Sequence, residues 1–306
     1  MKQSHKKILS IITFLALLFL AVYYLARNYA SFQKLSLVSP ELIVCMVLFF
    51  ITSYVCMGMY TRSLLTPFGI VMRAGESFML AMITGFYNLI TPFRGGLVVR
   101  AAYLKKKYQF SYTDFLASLA GMYVIVFLIS GLLGLFSILF IFQSTSDYNL
   151  LLVSIFSIVV IAMLVIIIFS QHFPRLNGRW LGKISRVAQG WNLIKNNTQV
   201  VFSVILFSLA QLLLLTLMLN LQFRVFGVNV SYFGTLILAS MANLSLLISI
   251  TPANLGINEA VIVFSAATLG ISPTVSLASA LLGRAVQIIV LFILGPIFSY
   301  KLIKKK

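Results

Sequence analysis

Long apolar runs fill most of the chain, and short polar stretches separate them. Six runs are long enough to cross a bilayer core of about 30 Å as helices. They comprise residues 8–26, 41–60, 115–142, 150–170, 200–221 and 274–300. We therefore predict an all-α polytopic membrane protein, with residues 1–306 forming a single membrane domain.

Two further apolar runs are interrupted by polar residues. Residues 78–90 lead into Thr-Pro-Phe-Arg-Gly-Gly, and residues 232–250 lead into Thr-Pro-Ala-Asn-Leu-Gly. Polar backbone does not face lipid, so each break must be buried in protein or line a wet cavity. We interpret residues 77–107 as a re-entrant broken hairpin, because neither arm crosses the bilayer core comfortably. Residues 232–269 are interpreted as a second re-entrant broken hairpin. The alternative count of eight spans is not excluded by the charge distribution.

The two broken segments repeat one another. Their Thr-Pro pairs are 160 residues apart, and the Ser-x-Thr motifs that begin at Ser111 and Ser272 are 161 apart. We interpret this as an internal duplication with repeat cores at residues 77–142 and 232–300. The lysines at 105–107 place the first hairpin on the cytoplasmic side. The second hairpin then enters from outside, which predicts an inverted repeat of the transporter type.

Composition and charge support a membrane protein. Hydrophobic residues make up 61% of the chain and charged residues only 9%, whereas soluble domains have about 25% charged residues. The formal net charge is +18, but the basic residues cluster at the ends of apolar runs. The positive-inside rule therefore explains the charge better than nucleic-acid binding does. We expect a cytoplasmic (plasma) membrane protein with both termini cytoplasmic; a cleaved signal peptide is the alternative for the first run.

Residues 172–198 form the only sizeable polar segment, and apolar side chains recur along it with helical spacing. They are Trp180, Ile184, Val187, Trp191 and Ile194. Basic residues flank this stripe. We predict a cytoplasmic amphipathic helix that lies either on anionic lipid headgroups or against the protein's own cytoplasmic face.

Charged and amide residues in and beside the breaks are the candidate substrate-binding groups. They are Asn88, Arg94, Arg100, Asn254, Asn258, Glu259 and Arg284. A guanidinium group binds phosphate bidentately, and an ionisable residue at membrane depth is a functional-site hypothesis by default. Snorkelling is the alternative for Arg94 and Arg100. Helix capping is the alternative for Glu259, and a structural ion pair with Glu259 is the alternative for Arg284.

Small and conformationally special residues are expected to shape the breaks rather than to bind substrate. They are Thr91, Pro92, Gly95, Gly96, Thr251, Pro252 and Gly256. Proline ends a helix, and glycine permits tight turns and close approach. Just before the first hairpin, Arg73 and Glu76 are expected to form a surface pair because they are three residues apart.

No motif indicates a cofactor or a catalytic centre. The two histidines are isolated, no cluster has metal-ligand spacing, and no phosphate-binding loop occurs. We therefore expect no metal, no cofactor and no direct use of ATP.

The spacing of residues around the breaks resembles a known family. It runs Asn88-x-x-x-Pro92-x-x-Gly95-Gly96-x-x-x-Arg100, then Pro252-x-x-x-Gly256-x-x-Glu259 and Leu281-x-x-Arg284. This pattern is similar to the flippase-like transmembrane domain of the lysylphosphatidylglycerol synthase family. That family includes the membrane part of the multiple peptide resistance factor and stand-alone members. The resemblance covers nearly the whole chain and is strongest in the C-terminal half.

Two departures from the family pattern remove acidic groups. Leu97 follows the paired glycines, where the family often has an acidic residue. Residues 120–124 read Ala-Gly-Met-Tyr-Val, where a Glu-Arg-x-x-Asp-like signature is often found. Fewer acidic groups near the site weaken the case for proton coupling.

The resemblance implies a flippase or translocator that moves a polar lipid headgroup, whether anionic, aminoacylated or glycosylated, across the cytoplasmic membrane. It also implies that aminoacyl transfer needs a separate soluble domain, for which the 306 residues leave no room, so we expect a transporter rather than an enzyme. One alternative is a non-transporting partner of a lipid synthase. A membrane-embedded lipid-modifying transferase is less favoured, because five acidic residues are spread thinly. The expected partner is a membrane phospholipid or glycolipid, and not nucleic acid.

Overall fold

The computed structural model describes residues 37–145, 149–169 and 189–304, and all regular structure in these ranges is helical. The main helices are α1 (Leu42–Leu65), α2 (Ala74–Ile90), α3 (Gly95–Tyr108), α4 (Tyr112–Thr145), α5 (Leu150–Phe169), α6 (Thr198–Val225), α7 (Tyr232–Leu244), α8 (Ile257–Ala267) and α9 (Pro273–Lys304). In this part of the chain, five helices are long and apolar enough to cross a membrane, namely α1, α4, α5, α6 and α9. They confirm five of the predicted spans. The span predicted at residues 8–26 lies outside the described residues.

Each predicted break separates two shorter helices that pack against each other. The first break lies between α2 and α3, which have 17 and 14 residues. The second lies between α7 and α8, which have 13 and 11 residues. At 1.5 Å per residue the longest of these arms measures about 26 Å, which is less than the hydrocarbon core of a bilayer at about 30 Å.

The two breaks have the same unusual backbone conformation. Phe93 and Arg94 have φ values of 53° and 55°, and Ala253 and Asn254 have φ values of 47° and 59°. These left-handed residues are not glycines and stand 160 positions apart, as the Thr-Pro pairs do. Such a conformation costs free energy in non-glycine residues and persists only where the surroundings hold it.

Reciprocal packing brings the two breaks together. Helix α2 packs against α9, and α7 packs against α4, so the first arm of each hairpin contacts the long helix that follows the other hairpin. Helices α1 and α6 pack against each other along their lengths. The two breaks are in direct contact: the backbone N–H of Phe93 donates to the carbonyl oxygen of Ile250 at 3.5 Å.

An ion pair joins the arms of the first hairpin at the end away from the break. Lys107 Nζ lies 2.8 Å from Glu76 Oε2. The hydroxyl groups of Tyr103 and Tyr108 donate to Glu76 Oε1 at 2.8 and 2.7 Å. Glu76 is only 8% exposed and pairs with Lys107 rather than with Arg73, the expected partner, because α3 returns alongside α2.

The described end of the polar segment packs against the protein itself. Residues 189–195 are helical, and Trp191 and Ile194 are buried in an apolar cluster with Leu64 and Leu119. For this turn the structure agrees with packing on the protein's own face rather than on lipid headgroups. Residues 172–188, which carry the rest of the predicted stripe, lie outside the described residues.

Gly96 permits the close approach of the two arms of the first hairpin, and its replacement by alanine tests this. A Cβ at Gly96 would lie 2.0 Å from the carbonyl oxygen of Thr84 and 2.7 Å from Asn88 Oδ1. We expect Gly96→Ala to lower the free energy of unfolding by about 1–3 kcal/mol, since backbone must shift. Thermal unfolding of the purified protein in detergent measures the effect.

The matched control is Gly75→Ala in the first turn of α2, where an added Cβ meets no heavy atom within 4 Å. This change should leave stability unchanged or raise it by about 0.5–1 kcal/mol, because alanine favours the helix. Equal effects of the two substitutions would contradict close packing at Gly96.

Candidate functional site

Two adjoining cavities lie where the breaks meet the long helices. One has a volume of about 200 Å³ and is lined by Arg94 and Arg100. The other has a volume of about 280 Å³ and is lined by Glu259 and Arg284. Several polar side chains line both cavities and make them one continuous polar region: Tyr54, Gln211, Asn243, Asn254 and Gln287.

Arg100 points into the protein from α3. The side chain is 3% exposed, its guanidinium carbon lies 5.7 Å from the centre of the Phe115 ring, and its Nε atom has no hydrogen-bond partner in the described part of the chain. The burial rules out snorkelling to the surface for this residue.

Arg94 stands on the first break itself, where its left-handed backbone leads into α3. One terminal nitrogen donates to the Tyr123 hydroxyl group, and the guanidinium carbon lies 5.4 Å from the centre of that ring. The other terminal nitrogen is buried without a partner among the described residues. Arg94 therefore has hydrogen-bonding capacity left for a ligand.

Neither arginine forms an ion pair within the described ranges. The chain has five acidic residues, of which only Asp147 lies outside these ranges. The two carboxylates that form ion pairs there are Glu76 with Lys107 and Glu259 with Arg284. A buried charge without a counter-charge is costly, so the cavity beside Arg94 and Arg100 favours an anion.

The second cavity holds a satisfied ion pair. Arg284 Nε and Nη2 lie 2.8 and 2.6 Å from Glu259 Oε1. Glu259 Oε2 accepts from the backbone N–H of Gly256 at 2.6 Å. Arg284 Nη1 donates to the carbonyl oxygen of Ala253 at 3.0 Å and to Gln287 Oε1 at 2.8 Å.

Arg284 thus pairs with Glu259, and the same carboxylate caps the start of α8, which are the two contacts that the structural alternatives describe. The same carboxylate serves both, because α8 begins where the second break faces α9. Arg284 holds that break against α9 through a carbonyl oxygen that the interrupted helix leaves free.

The three predicted asparagines stabilise the breaks, and each also lines a cavity. Asn88 Oδ1 accepts from the backbone N–H of Gly96 at 2.9 Å. Asn254 Nδ2 donates to Ser245 Oγ at 2.7 Å, while its Oδ1 is buried and unpaired among the described residues. Asn258 Oδ1 accepts from Ser245 Oγ at 3.4 Å. Asn254 alone of the three lines both cavities.

The seven predicted break residues lie at the breaks and line neither cavity. Thr251 Oγ1 donates to the carbonyl oxygen of Leu255 at 2.8 Å, and Thr91 Oγ1 donates to that of Tyr87. Gly256 has a φ of 80°, which glycine adopts readily. These residues set the backbone on which the charged side chains stand.

Several cavity residues were not predicted from the sequence. Gln211, Asn243 and Gln287 are amides within apolar runs, and this polarity is visible in the sequence. Tyr123 precedes Arg284 by 161 residues, so extending the repeat would have placed it opposite the ion pair. For Tyr54 the sequence offered no comparable signal.

A family model described as the lysylphosphatidylglycerol synthase TM region matches residues 7–295. No match was found among curated proteins or among solved structures. The matched range includes both breaks and the four charged residues of the cavities. The chain therefore belongs to the lysylphosphatidylglycerol synthase transmembrane family, as the spacing around its breaks indicated, and is a multi-pass membrane protein of lipid metabolism or transport.

Proposed function

We propose that this protein is a flippase or translocator that moves lipids with a phosphate-containing headgroup across the cytoplasmic membrane. The observation that carries the proposal is a pair of arginines, the buried Arg100 and the half-buried Arg94, which have no carboxylate partner in the described ranges and line a cavity between two helix breaks. A phosphate group in the hydrocarbon core of a bilayer finds no hydrogen-bond donors and no counter-charges among the lipid tails. These guanidinium groups supply charge and N–H donors at that depth.

In this mechanism the headgroup enters the polar cavities while the acyl chains stay in the bilayer. Arg94 and Arg100 hold the phosphate, and the Tyr123 hydroxyl group keeps Arg94 oriented toward it. The headgroup then crosses through protein groups instead of hydrocarbon, which lowers the free-energy barrier that lipid tails impose on a charge.

The proposal includes an inverted repeat with alternating access around the paired breaks. Each half would hold two spans, a re-entrant hairpin and a third span, with residues 8–26 as the first span. Because the first half would cross the membrane three times, the second half would begin on the opposite side and have the opposite orientation. Six crossings in total would place both termini in the cytoplasm. The reciprocal packing of α2 on α9 and of α7 on α4 supports this arrangement, since a two-fold relation between halves requires it.

The ion pair of Glu259 and Arg284 would act as the gate of the second cavity. While closed, it is neutral and holds the second break against α9 through the carbonyl oxygen of Ala253. A phosphate that reaches Arg284 competes with Glu259 for the same N–H donors. The substrate would thereby loosen the contact that separates the cavity from the far side.

Replacing Arg100 with glutamine tests the phosphate-binding role. The variant keeps a polar side chain but removes the charge, and a lost charged hydrogen bond is worth about 1.5–3 kcal/mol. We expect lipid movement to slow by about ten- to a hundred-fold. Bleaching of fluorescent lipids in reconstituted liposomes measures the rate.

The matched control is Arg224→Gln, at an exposed arginine in the last turn of α6. This variant should move lipids at the wild-type rate. Folded Arg100→Gln protein that also retains the wild-type rate would remove Arg100 from the site. If the wild-type protein moves no lipid at all, the chain is better explained as a non-transporting partner of a lipid synthase.

The gate is tested by Glu259→Gln and by the double variant Glu259→Gln with Arg284→Gln. The single change leaves Arg284 buried without its counter-charge, which should cost about 3–5 kcal/mol of stability. The double variant should regain part of that loss in thermal unfolding, yet remain unable to transport. A double variant that is stable and transports normally would show that the pair is only structural.

A further inference from the structure

We propose that the transported headgroup is an anionic polyol, meaning a phosphate ester that carries free hydroxyl groups, and that aminoacylated headgroups are excluded. This inference rests on the proposed function and names the substrate class of the same site. Two independent properties of the cavities lead to it, namely their charge and their unused hydrogen-bonding groups.

The charge of the cavities opposes a cationic headgroup. Three arginines face a single glutamate, and that carboxylate already accepts from Arg284 and from the Gly256 backbone. Two positive charges remain uncompensated in the described structure. An ammonium group added to the phosphate would meet this surplus without a free carboxylate to bind it, and like-charge juxtaposition is costly.

The amide groups that line the cavities can form hydrogen bonds that a bare phosphate group does not supply. Asn254 Oδ1 is buried without a partner among the described residues, and an N–H of Asn243 donates to Ser130 Oγ at 3.2 Å. Gln211 lines both cavities. An ionised phosphate only accepts hydrogen bonds, so it satisfies the arginines but offers no donor to the Asn254 carbonyl oxygen. A hydroxyl group both donates and accepts, and it is the complement of an amide.

The placement of these groups orients the ligand. Arg94 and Arg100 line only the first cavity, whereas Gln211, Asn243 and Asn254 line both cavities. Phosphate bound at Arg94 and Arg100 therefore leaves the rest of the headgroup facing the amides. Tyr54 also lines both cavities and offers an aromatic surface to the carbon skeleton of a polyol.

The experiment compares four lipids with the same fluorescent acyl chain in liposomes that contain the purified full chain. Their headgroups are a bare phosphate monoester, glycerol phosphate, inositol phosphate and lysyl-glycerol phosphate. Bleaching from outside follows the movement of each lipid. We expect the glycerol and inositol lipids to move at least about ten-fold faster than the other two. The phosphate monoester lacks the hydroxyl groups that the site binds, and the lysyl lipid adds positive charge to a site that already has a surplus.

The variant Gln211→Leu separates recognition of hydroxyl groups from binding of phosphate. It should slow the glycerol and inositol lipids more than the phosphate monoester, so the ratio of their rates should fall toward one. Gln199→Leu is the matched control, since Gln199 is an exposed amide in the first turn of α6. This control should keep the wild-type preference.

The outcomes distinguish the inference from the function on which it depends. Fastest movement of the lysyl lipid, or of the bare phosphate lipid, would overturn the polyol assignment and leave the translocator standing. A parallel arm offers soluble glycerol phosphate and inositol phosphate to the same vesicles. Uptake of these solutes with no lipid movement would show that the substrate is a soluble phosphate ester and not a lipid headgroup. No movement of any lipid or solute by folded protein would refute both proposals.

Discussion

Polar groups inside an apolar helix bundle must find partners within the protein, and this requirement organises the structure. Each helix break frees backbone N–H and carbonyl groups at a depth where lipid offers none. The two breaks meet and help to satisfy one another and the nearby helices: the Phe93 N–H contacts the Ile250 carbonyl group, and Arg284 binds the carbonyl oxygen of Ala253. The same arrangement that satisfies the backbone creates the cavities.

The two halves share backbone geometry but differ in charge. Left-handed residues recur 160 positions apart at both breaks. Beside the first break, Arg94 contacts a tyrosine and retains a nitrogen that is unpaired in the part of the chain that the structure describes. Beside the second, Arg284 is matched by Glu259. An electropositive cavity therefore adjoins a cavity whose charges are balanced. A substrate with a charged and an uncharged part would match this arrangement.

The first hairpin is held at both ends. At the break, Asn88 accepts from the Gly96 backbone, and at the other end Glu76 pairs with Lys107 across the two arms. Since the arms are joined at both ends and packed closely at Gly96, we expect them to behave as one unit. The alternating access that we propose needs units of this kind, since packed interfaces shift between discrete arrangements rather than deform continuously.

The sequence by itself determined the membrane class, the five spans confirmed in the described ranges, the positions of both breaks and the family. Long apolar runs and the repeated Thr-Pro motif are local properties of the chain, so they can be read without coordinates. It also singled out Arg100 and Glu259, because charge at membrane depth is rare. Only the tertiary structure decided which charges are paired, and it pairs Glu76 with Lys107. Only the tertiary structure showed that Tyr54 and Tyr123 line the site. Pairing and cavity lining depend on helices far apart in sequence meeting in space, and apolar periodicity does not encode which helices meet.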